Sequence, residues 1–475
     1  MLKKLLGESA IYGISSIVTK FIGIFLVPIY TQVFNPEDYG VVALTITTFS
    51  LLGMLVVFGF DNSAALYFYE NKSEEYQKKP ISNWFFTQLI FSLSVAVIFI
   101  LFSSTISNLL FDSPIYRSVL ILSSISLVFS TFTTVLQKWL RFQRKAVATV
   151  IFTLSISILN ILLNILFVLY LKLGLNGVFL ANLISSVIGF CICSVMMRNW
   201  LSISYIDRDL WKKMFKFGLP LVPAALAYWV SNSSASYFLN FSLSKTEVGL
   251  FQIGSSISSG VLLFTGAFQM AIGPFIFSQK DQPDVKHLIN RVFIGYLTIT
   301  SLVVAAVSSF SYEILVILTR ESYYSAKTLV PILSFNFLLL GLNYIGSLGL
   351  NIIKNNKPYM VSIILGSIIN VILFFVLIPF LGKEGAAWSM TLSNLCASFL
   401  IFKFSVNYFP IKFKYALGIA IVVLSLGIGF YLNTWVPEIF WQGIAYKLLI
   451  LILFSLLIIK IALPTLKDQA LIKAI

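Results

Sequence analysis

The sequence predicts an all-α polytopic membrane protein of about fourteen transmembrane helices, built as two parallel six-helix repeats followed by two further C-terminal helices. Three observations carry that prediction. The chain of 475 residues is 58% hydrophobic and only 11% charged, whereas soluble domains carry about 25% charged residues. Its apolar runs are about 20 residues long, enough to cross a hydrocarbon core of ~30 Å as helices, and they lack the short alternating pattern of a membrane β-barrel. Finally, basic loop residues segregate to alternate loops, and loop motifs recur at a constant offset.

Turn residues and charges divide the chain into spans at 9–34, 40–62, 83–106, 116–138, 147–170, 177–197, 215–241, 249–277, 291–312, 328–352, 360–381, 385–406, 415–432 and 443–463. The first follows Lys3 and Lys4 as a signal peptide would. It is too long for one, contains Lys20 and lacks a small-residue cleavage site, so it is expected to remain as a span. An even count places both termini on one side. Of the 33 Lys and Arg residues, 25 fall on that side and 7 on the other, with Lys20 inside a span. Basic residues mark the cytoplasmic side, so both termini are expected to be cytoplasmic. The net charge of +15 thus reports topology rather than nucleic-acid binding, and RFQRK at 141–145 and WKKMFK at 211–216 read first as topology signals.

The repeat emerges from the loops. NPEDYG at 35–40 corresponds to KTEVG at 245–249, LKLGLNG at 171–177 to PFLGKEG at 379–385, and Lys145 to Lys354, with offsets of 208 or 209. A six-helix unit is even, so the two copies share an orientation and are related by an axis along the membrane normal. The expected division is an N-terminal lobe at 1–197, an inter-lobe connection at 198–216, a second lobe at 217–406 and two additional helices within 407–475. The connection mixes charges with Trp200, Leu201, Leu210, Trp211 and Phe215, which suits either an amphipathic segment on the membrane surface or a plain linker. Pro28 in the first span and Pro220 and Pro223 at the start of the seventh are expected to bend their helices.

Catalysis is poorly provisioned. The single histidine, His287, lies in a loop beside Lys286, and no paired carboxylates, activated nucleophile, metal cluster or phosphate-binding glycine loop is present in the sequence. Cys191, Cys193 and Cys396 have neither disulfide nor zinc spacing and suit core packing. The protein is therefore expected to be a transporter without a cofactor or metal.

What remains is a transport constellation. Lys20 sits near the middle of its span, where a cation costs about 2.5–3.5 kcal/mol and should face a cavity; snorkelling or pairing with a carboxylate is the alternative. Repeat symmetry implies a substrate site between the lobes near the midplane. Adding 209 to Lys20 gives Trp229, with Asn232 nearby, and Gln252, Gln269 and Asn336 add uncharged polar groups within spans, as do Asn160, Asn164, Asn182, Asn343 and Asn370. Such amides serve either a ligand or interhelical hydrogen bonds worth about 0.6–2 kcal/mol each. Asp61, at the inner end of a span, is the candidate for coupling to a proton or sodium gradient, with a salt bridge as its alternative. A lone central lysine suits an anion such as a pyrophosphate better than a drug cation.

Lys20, Gly23, Pro28 and the run Asn35 to Gly40, together with GFDNSAALYFYE at 59–70, resemble the O-antigen flippase (Wzx) family of polysaccharide exporters within the multidrug/oligosaccharidyl-lipid/polysaccharide superfamily. The resemblance implies a MATE-like architecture in a bacterial plasma membrane and a flippase moving a polyprenyl-pyrophosphate-linked oligosaccharide outward. It also implies membrane lipids, polysaccharide polymerase and chain-length proteins as partners. Two other functions fit the residues: an ion-coupled drug or cation antiporter, which would depend on Asp61, and a non-transporting scaffold of a glycan-assembly complex, which would depend on a surface such as 198–216.

Overall fold

The structure, a computed structural model, describes residues 25–435 and 440–466. All regular structure among these residues is helical, and twelve helices are long and apolar enough to cross a membrane. One of them, Lys357–Tyr408, spans 52 residues and holds two predicted spans. At Gly382 (φ 59°, ψ −136°) the chain folds back on itself. A Cβ added at Gly366 would lie 3.0 Å from that of Ala397, and one at Gly385 would lie 2.3 Å from the Leu377 carbonyl oxygen. The first predicted span lies mostly outside the described residues, of which 25–33 are helical. The observed helices thus agree with a count of about fourteen.

Several predicted spans are broken into shorter helices. The one expected at 215–241 is built from helices Arg208–Gly218, Val222–Ser233 and Ala235–Ser242, with a 3-10 turn at Leu219–Leu221. Pro220 and Pro223 cause the first break, because proline lacks the N–H a continuous helix needs and its ring crowds the preceding turn. The span expected at 249–277 likewise divides into Lys245–Ser258 and Gly260–Ser278. Interrupted helices of this kind are frequent in transporters, where unwound backbone is tolerated only beside protein or a cavity.

The chain divides into two compact units, Met1–Trp229 and Val230–Ile475. In the first, Phe60, Phe68, Trp84, Phe132 and Trp139 belong to one buried cluster. In the second, Phe293, Tyr296, Leu338, Ile345 and Phe402 do so. The repeat is visible in the caps. Asn35 Oδ1 accepts from the Asp38 N–H at 2.8 Å, and Ser244 Oγ, 209 residues on, accepts from the Glu247 N–H at 3.4 Å. Gly174 and Gly382 both have positive φ (58° and 59°), as do Arg144 and Lys354 (both 57°), so the corresponding turns share a left-handed residue.

Segment 198–216 is docked on the first unit. Asn83 and the Asp207 backbone exchange two hydrogen bonds (3.0 and 3.2 Å), Lys79 pairs with the Asp207 carboxylate at 3.2 Å, and the Trp211 indole donates to Thr87 Oγ1 at 2.8 Å. Phe58 and Trp211 stack on Phe215. Gly59 (φ 70°) meets Gly218 so closely that a Cβ on either would come within 2.9 Å of the other segment's backbone. Of the cysteines, only Cys193 is buried in the core; Cys191 and Cys396 are exposed, contrary to the packing role expected for all three.

Candidate functional site

Three helices of the first unit carry polar residues at helical spacing on one face. Pro36–Val57 contributes Thr45, Ile46, Phe49 and Ser50, Arg117–Phe142 contributes Ser123, Ser126, Leu127 and Ser130, and Gly174–Met196 contributes Phe179, Asn182 and Ser186. Spacings of three and four place each set on one side of its helix. Together they line a cavity of about 340 Å³, within the size range of small-molecule sites, about 300–1,000 Å³. Several hydroxyls donate to their own helix, Thr45 to the Val41 carbonyl (2.7 Å) and Ser123 to that of Val119 (2.7 Å), while Ser126 and Ser186 share a bond of 3.2 Å across two helices. A hydroxyl that donates to backbone still has acceptor capacity, so the wall can accept hydrogen bonds from a ligand. No charged residue belongs to it.

A relay of amides backs this cavity. Tyr30 Oη donates to Asn164 Oδ1 (2.8 Å), Asn164 Nδ2 donates to Asn160 Oδ1 (3.1 Å), and Asn160 Nδ2 donates to Asn182 Oδ1 (2.8 Å). It links the 25–33 helix to the cavity wall and satisfies polar side chains within an apolar bundle. Trp229 bonds to one residue of the wall, its indole N–H donating to Ser50 Oγ at 3.0 Å. Trp229 is thus tied to a residue of the hydroxyl-lined wall, whereas Lys20 lies outside the described residues.

The remaining predicted site residues are dispersed. Asn232 is half-buried on the Val222–Ser233 helix. Gln252 and Gln269 are half-buried in the second unit, and their side-chain amides make no hydrogen bond among the described residues. Asn336 is fully buried and accepts from Asn394 Nδ2 at 2.8 Å. Asn343 accepts from Ser398 Oγ (2.6 Å) and Asn370 donates to the Ser231 carbonyl (3.2 Å), so these three amides join helices to one another. Asp61 forms an ion pair with Lys138, the salt-bridge alternative for that residue, and the neighbouring Phe60 ring meets Trp211 at a tilt.

The second unit contains a different kind of cavity, an apolar groove of about 480 Å³ with Phe293, Phe335, Leu339, Phe399 and Tyr415 in its walls. Of its two hydroxyl-bearing residues, Ser398 and Tyr415, Ser398 is engaged with Asn343. The sequence reading missed the serine stripes. Their signal was the spacing of Ser123, Ser126 and Ser130 within an otherwise apolar run, the inverse of a soluble amphipathic helix.

A family profile described as polysaccharide biosynthesis protein matches residues 29–320. An Lsg-locus protein of Haemophilus influenzae is 21% identical over 284 residues, 59% of this chain and 67% of that protein. An uncharacterized membrane protein of the same organism is 22% identical over 287 residues, with the same shares. Among solved structures, the lipid II flippase MurJ in an inward closed conformation aligns with a TM-score of 0.74 at 18% identity, covering 94% of this chain and 98% of that one. An inward-facing multidrug resistance MATE family transporter of the MOP superfamily aligns with a TM-score of 0.69 at 16% identity, covering 86% and 98%. These structures share the fold of this chain.

Proposed function

Because the chain belongs to the polysaccharide biosynthesis protein family, we propose that it is a flippase that carries a polyprenyl-pyrophosphate-linked oligosaccharide from the cytoplasmic to the outer face of a bacterial plasma membrane. The observation that carries this reading is the uncharged, hydroxyl- and amide-lined cavity of the first unit with Trp229 bonded at its Ser50. Sugars present many donors and acceptors and apolar ring faces. Serine hydroxyls, Asn182 and the rings of Phe49 and Phe179 match that chemistry, whereas a cation substrate would call for a carboxylate in the wall.

Lys20 is assigned to the pyrophosphate on the strength of its position within an apolar run. Transport proceeds by alternating access, without a bond made or broken, and draws on a proton or sodium gradient, with Asp61 as the coupling carboxylate. Both termini are cytoplasmic in this reading, and polysaccharide polymerase and chain-length proteins act on the delivered product.

The test is the accessibility of a labelled polyprenyl-pyrophosphate oligosaccharide in proteoliposomes. Wild type should translocate it, Lys20→Ala should not, and Ser126→Leu, which fills the cavity, should be strongly impaired. Undiminished translocation by both variants would overturn the reading. Translocation of drug cations instead, abolished by Asp61→Asn, would make the protein an antiporter.

A further inference from the structure

We propose that the first unit holds a specific binding site for an anionic phospholipid, formed where segment 198–216 docks on the Glu74–Leu101 helix. A pocket of about 380 Å³ lies there, lined by Asn83, Phe86, Thr87, Ile90, Ile206, Arg208 and Trp211. The residues from Asn83 to Ile90 share one face of their helix and run about 10 Å along it at 1.5 Å per residue. Asn83 stands at one end of that stripe and the exposed Ile90 at the other, with Phe86 and Thr87 between them.

The polar groups of the pocket are engaged, with one exception. Asn83 is tied to the Asp207 backbone, Trp211 donates to Thr87, and the Asp207 carboxylate receives Lys79 and the N–H groups of Asp209 and Leu210. Arg208 has no hydrogen bond or ion pair among the described residues. It is also the first residue of its helix, where the macrodipole disfavours a cation. An exposed arginine at the rim of a pocket walled by Phe86, Ile90 and Ile206, placed against its own helix dipole, is suited to a phosphate that has a hydrocarbon chain attached.

The surroundings favour the bilayer as the source of that phosphate. Ile90 and Ile206 are 61% and 44% exposed, so the apolar end of the pocket is open to its surroundings. On the same short helix, Lys212, Lys213 and Lys216 are exposed, while Leu210, Met214 and Gly218 face the protein. The acid among them, Asp209, is answered by Lys212 at 3.5 Å. Basic side chains flanking exposed apolar ones are the pattern of an interfacial helix on an anionic leaflet.

The experiment is native mass spectrometry of the full-length protein released from mixed micelles containing equal palmitoyl-oleoyl phosphatidylglycerol and phosphatidylcholine, repeated with added polyprenyl phosphate. Wild type should retain phosphatidylglycerol with about a fivefold preference, the scale of one basic side chain at an anionic surface. Arg208→Gln should erase the preference while leaving total lipid retention largely intact. Phe86→Trp, which occupies the pocket without touching charge, should lose the retained lipid altogether and decides the matter if Arg208→Gln does not fold. Equal retention of the two phospholipids by wild type, or an unchanged preference in both variants, would overturn the proposal. So would displacement of phosphatidylglycerol by stoichiometric polyprenyl phosphate, which would make the pocket a substrate site.

Discussion

Lys447 has no exposed surface, and its ammonium lies 2.8 Å from Glu313 Oε1 and donates to the Ser309 carbonyl at 2.9 Å. Neither Glu313 oxygen accepts a well-aligned hydrogen bond, so the attraction is mainly one of charge. Lys447 lies near the start of the span predicted at 443–463, and nothing in its neighbours announces a carboxylate more than a hundred positions away. Removing one partner of a buried pair leaves an uncompensated charge and costs about 3–5 kcal/mol, whereas removing both is often nearly neutral. Lys447→Met should therefore lower the thermal midpoint of the purified protein sharply, and Lys447→Met with Glu313→Gln should recover most of it. A second residue-scale outcome concerns Asp61, whose partner is Lys138. If it couples transport, Asp61→Asn should remove the response of flipping to an imposed proton or sodium gradient, measured in proteoliposomes. A variant that responds as wild type does would exclude Asp61 from that role.

At the scale of elements, segment 198–216 is held in part through Asp207. Asp207 caps its helix through the N–H groups of Asp209 and Leu210 and accepts from Lys79. The Leu210 N–H first, and then Lys79, hold its carboxyl below the usual carboxylate range despite the opposing effect of burial. A depressed pKa means that the stabilisation is present above the unfolded value of about 3.9 and is lost as pH falls through the folded one. Acidification below about pH 4 should thus loosen this segment, read as faster hydrogen exchange over 198–218, and Asp207→Asn, which keeps a capping oxygen, should flatten that dependence. The sequence disclosed the segment's amphipathic composition but left its docking open, because the Asn83 exchange and the Gly59–Gly218 contact join positions more than a hundred residues apart. The hairpin at Gly382 shows the converse. There a glycine in a recurring turn motif marked the reversal, since positive φ is readily adopted only without a Cβ.

At the scale of the whole molecule, the family profile ends at residue 320, so helices Tyr415–Thr434 and Phe440–Leu466 lie beyond it. Within the second unit they are joined to the rest by Lys447–Glu313 and by Asn433, which accepts from Ser311 Oγ at 2.6 Å and donates to the Lys327 carbonyl at 3.2 Å. Truncation after Tyr408 should leave Glu313 buried without a cation and reduce the yield of folded protein by size-exclusion chromatography. Adding Glu313→Gln to the truncation should restore part of that yield. No recovery would mean that apolar packing, rather than charge, binds the two helices to their unit.

Sequence alone determined the number, length and apolar character of the spans and the six-helix repeat. These follow from local composition, because a bilayer demands about 20 apolar residues per crossing and every loop must leave it. It also drew attention to the intramembrane amides as a class. Tertiary structure decided what each polar group does: Asn160, Asn164 and Asn182 form a relay behind a serine-lined cavity, while Asn336 and Asn343 join helices. The reason is physical. A helix face is readable from spacing, but whether its polar stripe meets a partner, a cavity or a charge depends on the helix opposite, which the stripe itself does not specify.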